Sequence, residues 1–445
     1  MRDLATRLRE IVRQQPGTAP PVRELTYVPD LATDGIEAVD DAAARLGGTL
    51  HRVGRSACVV VDRRSGSDDW HGRQRVSSLA LDRDAPIGLF DPRASAHPDW
   101  ADRIVFFDIE TTGLSGGAGT LAFLAGCGWF DDGDFLVRQF FLVGPAGEPA
   151  LLDALTGIFQ SASLLVTYNG RSFDVPTMDT RWAFHRSEAP TTAVPHFDML
   201  PPARKLWGRR EDQDLGGRCP KRLGETTPEV LPSCTLTALE RSVLGVHRQG
   251  DVPGLEIPSR YFRFLRTGNP AAIEGVFAHN RHDLLSLAAL TAHAVSLARE
   301  GPDACREASE QEGLGRLYEN AGDCDRATYA YERAAATGTV EVRRQALSRL
   351  ALLLRRQARH AEAAAAWQGV LELAAGDNGA LTPLDRRAAL ALAIHHEHRA
   401  RDLTVAKQYA DTLRAETSGR SRQDAEYRVG RLERKMKSRA ERPLW

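Results

Sequence analysis

The chain has 445 residues, of which 42% are hydrophobic and 26% are charged, and its formal net charge is −1. This length is too great for one ordinary domain and predicts two or three. The balanced charge argues neither for nor against a nucleic-acid partner. The N-terminus is charged throughout and no apolar run reaches the length of a membrane span, so we expect a cytoplasmic protein with no membrane contact.

Residues 1–100 are predicted to be a partly ordered extension that packs on the domain after it. Apolar residues at helical spacing favour a short helix over residues 3–13, and prolines then mark a linker. A further helix is predicted for residues 38–46 and a strand for residues 57–62. The remaining positions are dominated by Asp, Arg, Gly and Ser, which is typical of loops.

Residues 101–298 alternate between strand and helix patterns. Strands are predicted at residues 104–110, 120–130, 135–143, 164–168 and 194–197. Helices are predicted at residues 149–159, 174–184, 199–207, 236–244, 259–267 and 271–299. Three successive strands followed by alternating strands and helices predict a mixed α/β sheet with helices on its faces. A polar segment at residues 207–233 is predicted to be a long surface loop or insertion.

Residues 301–445 have no strand pattern and are rich in alanine, arginine and leucine. A weak repeat places one residue nine positions before a small alanine and another four positions after it. The three copies, offset by 36 and 43 residues, are Tyr318, Ala327 and Tyr331; Leu354, Ala363 and Trp367; and Glu397, Ala406 and Ala410. Such spacing is similar to that of tetratricopeptide repeats, which are helix pairs with a period of about 34 residues. We predict an all-α region of such repeats at 301–420, able to bind a protein partner, and a basic tail at 421–445 that is helical or disordered.

Two acidic residues end the first strand of the α/β region. Four apolar residues at 104–107 run directly into Asp108, and Glu110 follows two positions later. Because strand side chains alternate between faces, both carboxylates point to the same side of the sheet. They repel each other there unless a cation lies between them. The pair therefore raises the question of where further ligands come from.

Two later segments supply acidic residues in suitable positions. Asp174 follows a strand and a glycine-containing turn and opens a helix, where its alternative role is that of a helix cap. His279 and Asp283 lie four residues apart in a long helix and share one face. Taken alone, this second pair is better explained as an ordinary exposed His–Asp pair.

Together, Asp108, Glu110, Asp174 and Asp283, which we call the carboxylate cluster, predict a site for two divalent cations. Hard oxygen ligands suit Mg²⁺ or Mn²⁺. Two such ions about 4 Å apart can stabilise the attacking and leaving oxygens of a phosphoryl displacement. His279 would be the general base for the attacking water, since an imidazole titrates close to neutral pH.

Three motifs resemble those of the DEDD superfamily of exonucleases. They are D-I-E-T-T-G-L at 108–114, Y-N-G-R-S-F-D at 168–174 and H-N-R-H-D at 279–283. The resemblance covers about residues 100–298 and implies a ribonuclease-H-like fold with two divalent metals that removes nucleotides from 3′ ends. With S-G-G-A-G-T after the first motif and helical repeats towards the C-terminus, the chain is similar to the bacterial YprB-like family, for which the resemblance implies an exonuclease without a defined substrate.

The third motif departs from the superfamily pattern. In one branch a histidine lies five residues before the last aspartate, and in the other a tyrosine lies four before it. This chain has Ala278 and His279 at those two positions, so His279 occupies the tyrosine position. The metal ligands are unaffected by this difference, and the identity of the general base stays open.

Several residues are weaker candidates for binding the substrate. Thr111 and Thr112 could contact the substrate end or only form the turn, and Asn169 could hold a nucleotide or only cap its turn. Asp198 is more readily explained as a helix cap than as a fifth acidic ligand. Basic side chains near the insertion could contact phosphates or be ordinary solvated surface; they are Arg204, Lys205, Arg209, Arg210, Lys221 and Arg222.

The motifs favour a metal-dependent nuclease, with 3′-5′ exonuclease action on DNA or RNA as the first hypothesis and a single-stranded 3′ end as the expected substrate. A structure-specific endonuclease on the same fold is the second. The third is a scaffold whose nuclease fold has weak or no activity and which recruits partners through its helical repeats. The presence of all four carboxylates argues against the third.

Overall fold

The computed structural model describes residues 35–113, 119–208, 234–374, 381–417 and 419–440. Several predictions lie outside these ranges and are not addressed by the structure. They are the helix at residues 3–13, most of the glycine-rich turn at 115–119, the greater part of the polar insertion, and the basic residues Arg209, Arg210, Lys221 and Arg222.

The α/β region contains a seven-stranded mixed sheet, which confirms the predicted fold class. Its strands, in chain order, are β1 (Thr49–Val53), β2 (Ser56–Ser65), β5 (Ile104–Thr111), β6 (Ala122–Asp131), β7 (Asp134–Phe141), β8 (Leu164–Thr167) and β9 (His196–Asp198). A separate small hairpin consists of β3 (Trp70–His71) and β4 (Gln74–Arg75). The order across the sheet is β1-β2-β7-β6-β5-β8-β9. Strands β5, β8 and β9 are parallel and the other neighbours are antiparallel.

The sheet extends into the segment that the sequence assigned to an N-terminal extension. Strand β2 pairs with β7 along seven residues, and β1 pairs with β2 at the edge. The predicted strand at 57–62 is therefore longer, and β1 was not predicted. Exposed and partly buried residues do not alternate along β1, so a search for alternating apolar and polar residues could not have identified this strand.

Seven helices surround the sheet in the described part of the α/β region. They are α1 (Gly35–Leu46), α2 (Glu148–Gln160), α3 (Asp174–Phe184), α4 (Leu200–Leu206), α5 (Leu236–Leu239, continued by a π-helical turn at Glu240–Leu244), α6 (Ile257–Thr267) and α7 (Glu274–Glu300). Strand β5 divides the core: Val105 and Phe107 belong to the cluster under α2, α3 and α6, whereas Ile104 and Phe106 belong to the cluster under α4 and α7. Asp108 and Glu110 lie two and four positions after Phe106 on the same strand, so their side chains point to the same face of the sheet, towards α7.

Helix α7 approaches the sheet closely at Gly126 of β6. A Cβ atom added to Gly126 would lie 2.2 Å from the side-chain oxygen of Asn280 and 2.8 Å from Leu284. Gly126 is also the partner of Asp108 across the β5–β6 pair. Glycine at this position therefore sets the distance between the helix and the two acidic residues of β5.

Replacing Gly126 with alanine should lower the free energy of unfolding by about 1–3 kcal/mol, because the new methyl group overpacks a buried contact. Gly157 in α2 is the matched control, since a Cβ there meets nothing within 4 Å. Alanine at Gly157 should instead stabilise the helix by about 0.5–1 kcal/mol. Urea unfolding of both variants measures the two changes, and equal effects would contradict the packing argument.

The described residues after 300 form helices only. They are α8 (Ala308–Ala321), α9 (Cys324–Thr337), α10 (Val340–Arg356), α11 (His360–Ala374), α12 (Pro383–His395, continued by a π-helical turn at His396–Ala400), α13 (Leu403–Glu416) and α14 (Gly419–Ala440). Successive helices pack as neighbours. All nine positions of the predicted repeat are buried, including Glu397, around which Arg428, Arg431 and Lys435 of α14 gather. The basic tail is thus a helix as far as residue 440, and three of its basic side chains pair with the buried carboxylate of Glu397.

The helical region is joined to the α/β region at α4. The indole nitrogen of Trp207 donates to Glu310 of α8 at 3.0 Å, and Arg316 donates to the backbone oxygen of Lys205. Gly313 lies against the backbone of Lys205 and Leu206. Within the described ranges, no helix has both the length and the apolar character needed to cross a bilayer.

Candidate active site

Asp108 and Glu110 lie on β5, which is flanked by β6 on one side and β8 on the other. The buried residue between them, Ile109, packs into the opposite face of the sheet, so both carboxylates point away from it, towards α7. Both side chains are partly buried. The central strand therefore fixes two acidic groups at the edge of the core.

Asp174 is the first residue of α3, directly after the turn that follows β8. Its side chain is only 5% exposed, and one carboxylate oxygen accepts the backbone N–H of Ile109 at 3.2 Å. The side chain thus reaches across to β5, between the two acidic residues of that strand. This contact, rather than a cap on its own helix, accounts for its position.

His279 and Asp283 lie one turn apart on α7 and face β5. The Nε2 atom of His279 is 3.4 Å from a carboxylate oxygen of Asp283, and these side chains are 12% and 16% exposed. Ligand atoms of Glu110, His279 and Asp283 lie within 4.8 Å of one another. The pair is therefore not an ordinary exposed His–Asp pair, because the fold brings it to the acidic residues of β5.

Arg248 is a member of the site that the sequence analysis did not identify. Its guanidinium is 6% exposed and contacts Asp283, while its Nε donates to Glu240 at 2.8 Å and its Nη1 to Asp251 at 3.2 Å. Arg248 follows the polar insertion in a segment that has no periodic pattern. An isolated arginine in such a segment gives no signal of burial, so the sequence alone could not have located it.

Asp108 is held by a chain of buried amides. The side-chain nitrogen of Asn280 donates to the Asp108 carboxylate at 2.8 Å, and the amide nitrogen of Gln139 donates to the Asn280 oxygen at 2.9 Å. Asn280 is fully buried and Gln139 almost so. This chain fixes the orientation of both amides and connects strand β7 to the site through α7.

The pKa values of Asp108, Glu110 and Asp174 are raised above their usual range. Burial raises the pKa values of Asp108 and Glu110 well above their usual range, and repulsion from the neighbouring carboxylates raises them further. Burial raises the pKa of Asp174 to about 7. These three carboxyl groups thus favour protonation in the metal-free protein, and a cation bound beside them would favour their ionised forms.

The raised pKa values predict that the metal-free protein loses stability between about pH 6.5 and pH 8. A carboxyl whose pKa is higher in the folded state contributes stability that is complete below its unfolded value, 3.8 for Asp174, and is lost as the pH rises through about 7. Desolvation lowers the pKa values of His71 and His196 to about 4, and these two groups have the opposite effect on stability only below about pH 6.5. Urea unfolding in EDTA at several pH values measures this loss.

Asp174→Asn is the control for that pH dependence. The variant lacks the titrating group and should lose less stability between pH 6.5 and pH 8 than the wild-type protein. An equal loss in both proteins would show that Asp174 does not contribute.

The candidate substrate-binding residues make local contacts. The Thr111 hydroxyl donates to the backbone oxygen of Gly113 at 2.8 Å, and the Thr112 hydroxyl accepts the N–H of Leu121 at 3.1 Å. Asn169 has a left-handed backbone (φ 64°), and its N–H donates to Asp198 at 2.8 Å. Both hydroxyls therefore stabilise their turn, and their role towards a substrate stays a prediction.

Asp198 has a structural role in the same turn. It accepts the N–H groups of Asn169, Arg171 and Leu200, the first residue of α4. Its carboxylate thus joins the turn after β8 to the start of that helix. This agrees with the cap that the sequence favoured over a fifth acidic ligand.

The donor set fits a hard divalent cation. It consists of carboxylate oxygens with the His279 ring beside them, since ligand atoms of Glu110, His279 and Asp283 lie within 4.8 Å of one another. Burial, followed by repulsion between the crowded carboxylates, raises the pKa values of Asp108 and Glu110, and a bound cation would offset that repulsion. Arg248 supplies one compensating positive charge at Asp283.

Comparisons with known proteins relate the chain to one superfamily and one bacterial protein. The sequence profile of the ribonuclease H superfamily matches residues 105–295, the segment that carries every member of the carboxylate cluster. The chain is also 30% identical over 341 residues to the protein of Bacillus subtilis named "Uncharacterized protein YprB". That alignment covers 76% of each chain.

Proposed function

Because this chain belongs to the family of the Bacillus subtilis protein YprB and contains a ribonuclease H-superfamily domain at residues 105–295, we propose that it is a metal-dependent nuclease. The superfamily suggests a nuclease-type fold. We further propose that the enzyme removes nucleotides from the 3′ end of a DNA or RNA strand, most readily from a single-stranded end.

The observation that carries the proposal is the acidic group at β5. Ligand atoms of Glu110, His279 and Asp283 lie within 4.8 Å of one another, and the Asp174 carboxylate accepts the backbone N–H of Ile109, between the two acidic residues of the strand. Burial raises the pKa values of Asp108, Glu110 and Asp174, and repulsion from neighbouring carboxylates, which a bound cation would relieve, raises them further. Asp108, Glu110, Asp174 and Asp283 would hold two divalent cations, Mg²⁺ or Mn²⁺. Such ions supply Lewis-acid stabilisation of the charge that develops during phosphodiester hydrolysis.

His279 is proposed to accept the proton of the attacking water. Its Nε2 atom faces Asp283 at 3.4 Å, beside the carboxylates that would hold the metal. Its ring is nearly buried, so it is kept in this place rather than free in solvent. The offset of His279 from the superfamily motif is compatible with this role, since the helix still turns its ring towards β5.

The helical region is proposed to consist of tetratricopeptide-like repeats that bind a protein partner. The hairpins α8–α9, α10–α11 and α12–α13 each contain one copy of the repeat, with its alanine buried on the second helix. A partner bound to the first hairpin would lie next to the α/β region, since α8 packs on α4.

Incubation with 5′-labelled single-stranded and duplex DNA and RNA tests the nuclease proposal. With Mg²⁺ or Mn²⁺ we expect a ladder that shortens from the 3′ end, and with EDTA we expect intact substrate. Internal cuts would favour the structure-specific endonuclease instead. An absence of cleavage on every substrate, combined with metal-binding calorimetry that shows no binding, would contradict the enzyme proposal and leave the scaffold hypothesis.

A further inference from the structure

We propose that Asp251 is a positioning residue for His279: its carboxylate holds the imidazole with Nε2 turned towards Glu110 and Asp283. This inference rests on the proposed nuclease function, in which His279 accepts a proton. Asp251 lies in the loop between α5 and α6, outside all three sequence motifs.

The first argument is the geometry of the imidazole. Its Nδ1 atom is 2.8 Å from a carboxylate oxygen of Asp251, and its Nε2 atom is 3.4 Å from Asp283 on the opposite side. An ionised carboxylate can only accept a hydrogen bond, so Nδ1 carries the proton of the neutral ring. The lone pair is then on Nε2, which is the atom that faces the carboxylate cluster.

A contact between Arg248 and His279 favours the other tautomer of the imidazole. Nη1 of Arg248 is 3.3 Å from the same Nδ1 atom, and an arginine can only donate. The contact with Asp251 is shorter, and Nη1 already donates to the other oxygen of Asp251 at 3.2 Å. Arg248 therefore orients Asp251, and Asp251 orients His279.

The second argument is that Asp251 is itself fixed in place. The oxygen that contacts His279 also accepts the N–H of Val252 at 2.9 Å, and Arg248 holds the second oxygen. The guanidinium in turn is anchored by Glu240, which is 1% exposed. A carboxylate restrained on both oxygens can impose one ring orientation and one tautomer on His279.

The same relation between carboxylate and imidazole controls proton transfer in general base catalysis. When an aspartate in this position becomes asparagine, the amide can donate to Nδ1, and the proton moves to the nitrogen that should accept one. For this protein, Asp251→Asn should therefore lower kcat by about 10- to 100-fold with little change in KM.

Two measurements test the proposal. Nitrogen chemical shifts of ¹⁵N-histidine-labelled protein report the tautomer, and His279→Ala identifies the resonance. In the wild-type protein we expect the proton on Nδ1, and in Asp251→Asn a shift towards Nε2. The control is Asp153→Asn, which breaks a His–Asp contact of 2.8 Å between exposed side chains, His51 and Asp153, and should change neither kcat nor the His279 resonance.

An unchanged His279 tautomer in Asp251→Asn would overturn the proposal, and so would an unchanged kcat in an active enzyme. If the wild-type protein cuts no substrate and binds no divalent cation, the nuclease proposal fails, whereas the nitrogen shifts still decide whether Asp251 orients the ring. If Asp251→Asn loses kcat and its far-ultraviolet spectrum shows an unfolded protein, the conservative Asp251→Glu variant distinguishes loss of the positioning role from loss of the fold. If this variant folds and recovers neither the Nδ1 proton nor any activity, Asp251 is not a positioning residue.

Discussion

Cleavage by the Asp108→Asn variant should be slower than cleavage by the wild-type protein by about 10³-fold or more, because the carboxylate that we propose as a metal ligand becomes a neutral amide of the same size. The same change should make the metal-free protein more stable. Burial and repulsion raise the pKa of Asp108, so its charge is costly in the absence of a cation. Initial rates with Mg²⁺ or Mn²⁺ and urea unfolding in EDTA measure the two effects.

A slower rate of cleavage together with a higher stability of the metal-free protein would distinguish a catalytic role of Asp108 from a structural one. Asp62→Asn is a suitable control because Asp62 is an exposed acidic residue paired with Arg138 across strands β2 and β7. We expect it to leave cleavage unchanged and to alter stability by less than about 1 kcal/mol. A slow Asp108→Asn variant that is also destabilised would indicate damage to the fold rather than loss of a ligand.

Replacing Arg248 with methionine should lower the free energy of unfolding of the metal-free protein by about 3–5 kcal/mol. The guanidinium is almost buried, and its removal leaves Glu240 and Asp283 as unpaired negative charges. Urea unfolding in EDTA measures the loss. Divalent cations should recover part of it, because they can neutralise Asp283 but do not reach Glu240 through any contact in this site.

The double variant Arg248→Met, Glu240→Met provides the decisive comparison. Replacing both members of a buried ion pair by apolar residues is often close to neutral, whereas removing one partner is not. The double variant should therefore regain much of the stability lost by the single variant. If both variants are equally unstable, the loss comes from packing around Arg248 and not from unpaired charge.

The sequence was sufficient for the part of the site that follows from local patterns. A strand that ends in two acidic residues of equal parity fixes their common direction, and helical spacing fixes the shared face of His279 and Asp283. The α/β fold class followed in the same way from alternating strands and helices. These inferences need only the periodicity of single elements.

The remaining site residues depend on contacts between distant segments. Arg248 and Asp251 lie in a loop without periodicity, and Asn280 and Gln139 resemble ordinary polar residues until α7 is placed on β6 and β7. Strand β1 was missed for a related reason, since it lies at the sheet edge and is largely exposed. Tertiary packing decides such positions, and no local signal anticipates it.

The bond from Asn280 to Asp108 joins residues 172 positions apart. Contacts of such long range are completed late, because the intervening chain has to be ordered first. While the polypeptide emerges from the ribosome, β5 is made long before α7, so the acidic pair of this strand precedes its partners Asp174, His279 and Asp283. A nascent chain should thus be unable to cut nearby nucleic acid until α7 has been synthesised and has packed against β6.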